Sequence, residues 1–182
     1  MRYESRVVNL LGAIVVGAHD RLAEVTQRAA GRTGVTAAAL ATLAQYPGLT
    51  VEQLRRCLGI SQPATVRTVD ALQAGGLLVR GPGADRRSLA LRLTPAGLER
   101  AGQVLRARAE VLDPLLDGLG DADRRALETV LEHLLDRLTT SARRADEICR
   151  LCDLGACPPD RCPVECAGRR HERVDQDSRD TP

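Results

Sequence analysis

The cysteines carry the most chemistry in this chain. Five of the six fall in one run, CRLCDLGACPPDRCPVEC, and the first four, Cys149, Cys152, Cys157 and Cys162, have the spacing C-x2-C-x4-C-x4-C. Thiolates this close in sequence can converge on one cation, with Gly155 and Pro158-Pro159 turning the chain between ligands. Four sulfur ligands form a closed tetrahedral zinc site, and an iron–sulfur cluster held by the same thiolates is the alternative. The spacing equals that of a zinc knuckle with cysteine in place of its histidine. The knuckle's aromatic residue and the glycine before its third ligand are absent. Cys166 is a possible substitute ligand. Free thiols and a disulfide staple are the competing readings, and a reducing compartment disfavours the staple. The segment is too poor in apolar side chains to order itself by burial. Metal–thiolate bonds, worth roughly 10–16 kcal/mol in finger-sized zinc peptides, would make up the difference.

The remaining reactive side chains suggest no catalyst. The histidines are His19, His133 and His171, and no Ser/His/Asp or Cys/His arrangement or phosphate-binding glycine loop accompanies them. His19 with Asp20 reads as a surface or pocket-edge pair, His171 as solvated in a polar stretch, and Cys57 as a small core residue. An enzyme is not expected.

The second pattern is one of charge. The formal net charge of +2 is too small to announce a partner, so the location of charge decides. Residues 50–95 hold Arg55, Arg56, Arg67, Arg80, Arg86, Arg87 and Arg92 against only Glu52, Asp70 and Asp85. A local cationic surplus of this kind suits the phosphates of double-stranded DNA. On a helical wheel over residues 61–74, Val66, Val69 and Leu72 fall on one side and face inward. The opposite side presents Pro63, Ala64, Arg67, Thr68 and Ala71, slim enough to enter a major groove about 12 Å wide. Arg67 could bond guanine bidentately or neutralise a phosphate. Ser61 and Gln62, at the helix N-terminus, are within reach of bases or backbone.

The elements that must position these groups are mainly helical, with one small β-hairpin. A long helix over residues 5–30 is closed by Gly31 and Gly34, and a second over 36–45 stops at Tyr46-Pro47-Gly48. Thr50 and Gln53 have capping-box spacing and open a third helix that ends at Gly59. Ser61 is a good N-cap for the fourth, with Pro63 in its first turn. Residues 77–80 and 88–94 read as hairpin strands, because Leu89, Leu91 and Leu93 alternate with Ala90 and Arg92. Thr94-Pro95 restarts helix, Pro114 kinks or frays its end, and Asp121 caps a last helix reaching residue 140. From Ala167 onward the sequence is polar and reads as disordered.

Two short helices followed by a hairpin make a winged helix-turn-helix. The run LGISQPATVRTVDALQAGGLLVRGPGADRRSLALRLTPAG resembles the recognition helix and wing of the multiple antibiotic resistance regulator (MarR) family. The match is most specific at Asp85-Arg86-Arg87-Ser88, leading into Leu91-Arg92-Leu93-Thr94 and Gly97. The resemblance spans about residues 5–145 and implies that Asp85 shapes the wing while Arg87 enters or borders the minor groove. A narrow minor groove concentrates negative potential, which attracts such an arginine. The resemblance also implies a homodimer whose first and last helices interlock, a near-palindromic operator, and repression released by a small-molecule effector. The cysteine run lies outside the family's usual pattern, and metal or redox change there is a second possible trigger.

The bulk composition agrees. There is no Phe or Trp and every basic residue is Arg, so any core is aliphatic. The apolar run over residues 7–18 is shorter than the about 20 residues a bilayer span needs, and it lacks a signal-peptide cleavage pattern. A cytoplasmic protein with no membrane partner is expected, with that run buried against a second copy. The expected organisation is a dimerisation helix (1–34), the winged helix-turn-helix (35–95), further dimerisation helices (96–146), a metal-binding segment (147–166) and a tail (167–182). A metal-stabilised protein–protein adaptor on a winged-helix scaffold is the alternative to a regulator.

Overall fold

The structure, a computed structural model, describes residues 5–31, 34–83 and 89–180. It is mainly helical with one antiparallel hairpin. The order is α1 (Arg6–Ala30), α2 (Gly34–Gln45), α3 (Val51–Leu58), α4 (Gln62–Ala74), β1 (Leu78–Pro82), β2 (Leu89–Leu93), α5 (Pro95–Leu112), α6 (Asp121–Leu138), α7 (Ala142–Cys149) and α8 (Pro163–Asp180). No helix among the described residues is long and apolar enough to cross a membrane.

Local chemistry sets most of the boundaries. Ser5 caps α1, and Gly31 ends it in the left-handed conformation. The Thr50 hydroxyl accepts from the Gln53 N–H at 3.2 Å while Gln53 Oε1 accepts from the Thr50 N–H at 2.8 Å, completing the box that opens α3. Ser61 caps α4 and Thr94 caps α5, each with a proline in the first turn. The 3₁₀ turn Asp113–Leu116 begins where Pro114 interrupts α5.

The core is built around α2. Ala37, Ala38, Ala39, Leu40, Ala41 and Leu43 are all buried. Leu54 and Leu58 of α3, Val69 and Leu72 of α4, Leu78 and Leu91 of the hairpin, and Ala101 and Val104 of α5 join them. The hairpin pairs Leu78 with Leu93, Arg80 with Leu91 and Pro82 with Leu89. The Gly48 N–H donates to the Leu91 carbonyl at 2.9 Å and the Leu91 N–H to that of Leu49 at 2.8 Å, which stitches the α2–α3 turn onto β2.

Several expectations are corrected. The first hairpin strand is Leu78–Pro82 rather than 77–80, and the wing segment 84–88, with Asp85, Arg86, Arg87 and the expected start of the second strand, lies outside the described residues. Gly120, not Asp121, occupies the N-cap of α6, with no side-chain cap bond. Asp121 and Asp123 instead sit in the first turn, where the helix dipole favours anions. The last helix stops at Leu138, and Ser141 caps a separate α7.

The largest correction concerns the residues from Ala167, which continue α8 to Asp180 rather than being disordered. Ala167 and Val164 are buried, and a Cβ added at Gly168 would come within 2.9 Å of the Ala145 Cβ, so small residues let α8 lie close on α7. Arg169 pairs with Glu165 one turn back, and Arg170 with Asp136 of α6. His171 is half-buried, its Nε2 2.9 Å from the Thr139 carbonyl, rather than solvated.

Gly97 gives the sharpest local test. A Cβ there would fall 2.0 Å from the Leu77 carbonyl oxygen, which accepts from the Thr94 N–H at 3.0 Å and cannot move without breaking that bond. Gly97→Ala should lower unfolding free energy by about 1–3 kcal/mol, the usual cost of overpacking, as read by urea denaturation. An unchanged midpoint would show that α5 shifts freely on the hairpin.

Candidate nucleic-acid interface

Helices α3 and α4 meet at Gly59-Ile60, with Gly59 left-handed at φ 65°. Thr65, Val69 and Leu72 form the buried side of α4. Val66, expected inward, is instead 37% exposed. Thr65 takes the inward position because its hydroxyl donates to the Ser61 carbonyl at 3.0 Å and so enters the core satisfied.

Of the expected contact residues, Gln62, Pro63 and Arg67 are exposed, while Ala64 and Thr68 are half-buried. The Ser61 hydroxyl accepts from the Ala64 N–H at 3.4 Å and the Thr68 hydroxyl donates to the Ala64 carbonyl at 2.9 Å. Both hydroxyls are thus engaged with backbone, and Arg67 is the cation at the centre of the outward side.

The positive surplus is narrower than the sequence suggests. Glu52 accepts two bonds from Arg55, at 2.7 and 2.8 Å, and one from Arg56 at 3.2 Å. Arg80 is held by Asp70 at 2.6 Å and by Gln73 at 2.6 Å, which locks β1 to α4. Arg67 and Arg92 are exposed and form no ion pair with a described residue. These two are the arginines of the described interface without an ion pair, and Glu52, shared by Arg55 and Arg56, leaves one further positive charge unneutralised.

Hydrogen bonds from Arg55 and Arg56 hold the Glu52 carboxylate down to about 2. Because the pKa is depressed, the paired form is fully present above the ordinary carboxylate range and is lost only as pH falls from about 4.5 toward about 2. Carboxyl-carbon NMR should show Glu52 titrating at that low value, and Arg55→Ala should move it upward. A Glu52 that titrates in the ordinary range in the intact protein would free both arginines for phosphate.

Behind the reading helices lies the cysteine segment. Helix α7 packs on α3, and a Cβ added at Gly59 would meet the Glu147 carboxyl at 2.9 Å. Glu147 is itself held by Arg143 at 3.2 Å and Arg144 at 3.0 Å. The Gln45 side chain donates to the Cys152 carbonyl and accepts from the Leu154 N–H at 2.5 Å, while the Thr42 hydroxyl donates to the Arg150 carbonyl at 3.3 Å. These partners lie more than a hundred positions apart in sequence, so no local signal marked them.

Three of the four expected ligand cysteines fall in one cluster. Cys149, Cys157 and Cys162 share one apolar cluster with Ala145, Val164, Leu135 and Ile148. Cys149 stands beside Cys152 and Cys162, and Cys157 beside Cys162, closely enough for each thiol to shift its neighbour. The two neighbouring thiols push Cys149 up and hold Cys152 down to about 6, with the Arg108 guanidinium adding to the second effect. Burial raises Cys157 to about 11. All six cysteines are free, and among the described residues no group of three or more His, Cys, Asp or Glu side chains is arranged to hold a metal ion. Cys166 points elsewhere, its Sγ 3.7 Å from the Asp160 carbonyl. Cys57 is half-buried with its thiol raised to about 11 by burial, as a core residue would be.

A helix-turn-helix with a hairpin wing, flanked by long helices, defines a class of DNA-reading folds. The MarR family model matches residues 30–88, which include the helix-turn-helix. A MarR family protein from Bacillus stearothermophilus superposes with TM-score 0.64 at 22% identity, covering 76% of this chain and 100% of that one. A MarR family transcriptional regulator from Silicibacter pomeroyi gives 0.57 at 26%, with coverages of 74% and 91%. Apo MarR from E. coli gives 0.55 at 20%, with 69% and 96%. The fold of this chain is that of the MarR-family transcriptional regulators.

Proposed function

We propose that this chain is a DNA-binding transcriptional regulator that works as a homodimeric repressor of a near-palindromic operator. The reading rests above all on α4, whose outward side carries Arg67 without an ion pair to a described residue, beside a wing that Arg80 fastens to the same helix. Arg67 enters the major groove, Gln62 and Pro63 approach at the helix start, and Arg87 of the wing, which lies outside the described residues, serves the minor groove.

Pairing is supported by the first helix. Val7, Ile14 and Val16 of α1 are 74%, 64% and 62% exposed in the single chain, and Val8, Leu10, Leu11 and Val15 are exposed beside them. Helix α6 buries none of its residues and leaves Val130, Leu131 and Leu138 exposed. Apolar surface this extensive on two helices suits a second copy of the chain. A dyad then sets two α4 helices about 34–36 Å apart, one turn of duplex. Release follows from an effector in the cleft between α1 and α3, lined by His19, Thr26, Val35, Leu58, Arg150 and Leu151, or from a change at the cysteine cluster.

A duplex selected from a random pool by the intact protein tests the reading. Arg67→Ala and Arg87→Ala should each weaken binding by about 1–3 kcal/mol and flatten its salt dependence, with the dimer intact. Equal affinity of both variants across salt concentrations, or no selected duplex at all, would overturn it in favour of an adaptor. Val15→Glu with Val16→Glu should convert a dimer to a monomer by light scattering, and a dimer that persists would move the interface elsewhere.

A further inference from the structure

We propose that Cys149, Cys152, Cys157 and Cys162 bind one zinc ion, and that this ion clasps the C-terminal helices to the back of the helix-turn-helix. The four residues come from two helix ends and two tight turns. Cys149 is the last residue of α7, and Cys162 immediately precedes Pro163, the first residue of α8. The Cys152 N–H donates to the Cys149 carbonyl at 2.9 Å, and the Cys157 N–H to the Asp153 carbonyl at 3.1 Å. A tetrahedral zinc holds sulfurs about 2.3 Å away and so about 3.8 Å from one another. Cys149, Cys157 and Cys162 already share one cluster and a single turn links Cys149 to Cys152, so the four side chains have to rotate inward to close on an ion.

Burial alone does not account for this segment. Asp153, Gly155, Ala156, Pro158, Pro159, Asp160 and Arg161 are exposed. Three of the seven side chains in the cluster beneath them are thiols. Cysteine in the role of a small apolar residue would explain one such position, yet here four occur within fourteen residues, all unpaired. Thiolate softness and a closed set of four ligands favour zinc among divalent cations.

The clasp has a definite lever. Cys149 ends the helix whose Glu147 covers Gly59, the turn residue between α3 and α4. Gln45 and Thr42 of α2 grip the same loop from the other side. Helix α8, which starts from Cys162, reaches α6 through Arg170 and His171. The ion thus joins the helix proposed for pairing to the helices proposed for reading DNA, and its coupling role rests on the proposed function while the site itself does not.

The full-length protein, purified without chelator, should be colourless and contain one zinc per chain by elemental analysis. Cys149→Ser, Cys152→Ser, Cys157→Ser and Cys162→Ser should each lose it, and Cys166→Ser should keep it. Because a serine variant can fail to fold, wild-type protein is also stripped with a chelator and reloaded with zinc alone. Stripping should speed amide exchange in α3 and at Gly59 about tenfold while α5 is unchanged, and zinc should reverse this. Metal-free protein, iron with acid-labile sulfide in place of zinc, or retention of zinc by the four variants would overturn the site. Zinc loss with unchanged exchange at α3 would overturn the clasp. Neither readout uses DNA, so failure of the regulator reading shows only in the duplex selection.

Discussion

The structure depends on one helix being surrounded. Helix α2 presents Ala37, Ala38, Ala39 and Ala41 around its circumference with Leu40 and Leu43 between them, and α1, α3, α4, α5 and β2 pack on it. A helix enclosed on every side must have small side chains, because each neighbour's axis lies only about 8–10 Å away. A chain without Phe or Trp cannot fill large gaps, so it closes them by bringing backbones together. The same solution recurs at Gly97 against Leu77 and at Gly168 against Ala145. Close backbone approach, more than side-chain bulk, gives the fold its shape.

That compactness fixes what the reading surface can be. With Val69, Leu72 and Leu78 in the core, α4 and β1 share a foundation, and Arg80 ties them again at the surface through Asp70 and Gln73. Helix and wing form a single body presented by α2 and α5. Ion pairs at Glu52 and Asp70 occupy three arginines, so unpaired cations are few and placed by geometry rather than scattered. Under the proposed function, docking on a duplex would rest on shape and a small number of contacts, with the net charge contributing little.

Local chemistry was legible in the sequence, and distant partnership was not. Thr50, Ser61 and Thr94 mark helix starts because a cap bond spans only three residues, and the alternating leucines of β2 mark a strand, although Leu91 alone of the three is buried and Leu89 is exposed. Val66 was misplaced because a helical wheel ranks side chains by hydrophobicity, whereas Thr65 enters the core with its hydroxyl satisfied one turn back. Helix α8 was missed because its stabilisation comes from the Ala145–Gly168 approach and from Asp136 and Thr139 on another helix. The arginine count overstated the charge for the same reason, since the Arg80–Asp70 pair forms only once the wing has folded onto α4. Three of the spaced cysteines meet in one cluster, but the Gln45 grip that seats their segment on α2 leaves no trace in local composition.

Under the proposed pairing, the outward apolar side of α1 makes the abundance of the chain part of its chemistry. Association is second order, so dilution favours separate chains, each then exposing Val7, Ile14 and Val16 to water. Folding of the long helix and encounter with a second copy become one equilibrium, and thermal midpoints should rise with protein concentration. A newly made chain in a sparse population spends longer with that surface uncovered, open to chaperones and proteases. The number of copies in a cell therefore sets both how much of the protein is assembled and how long each copy lasts.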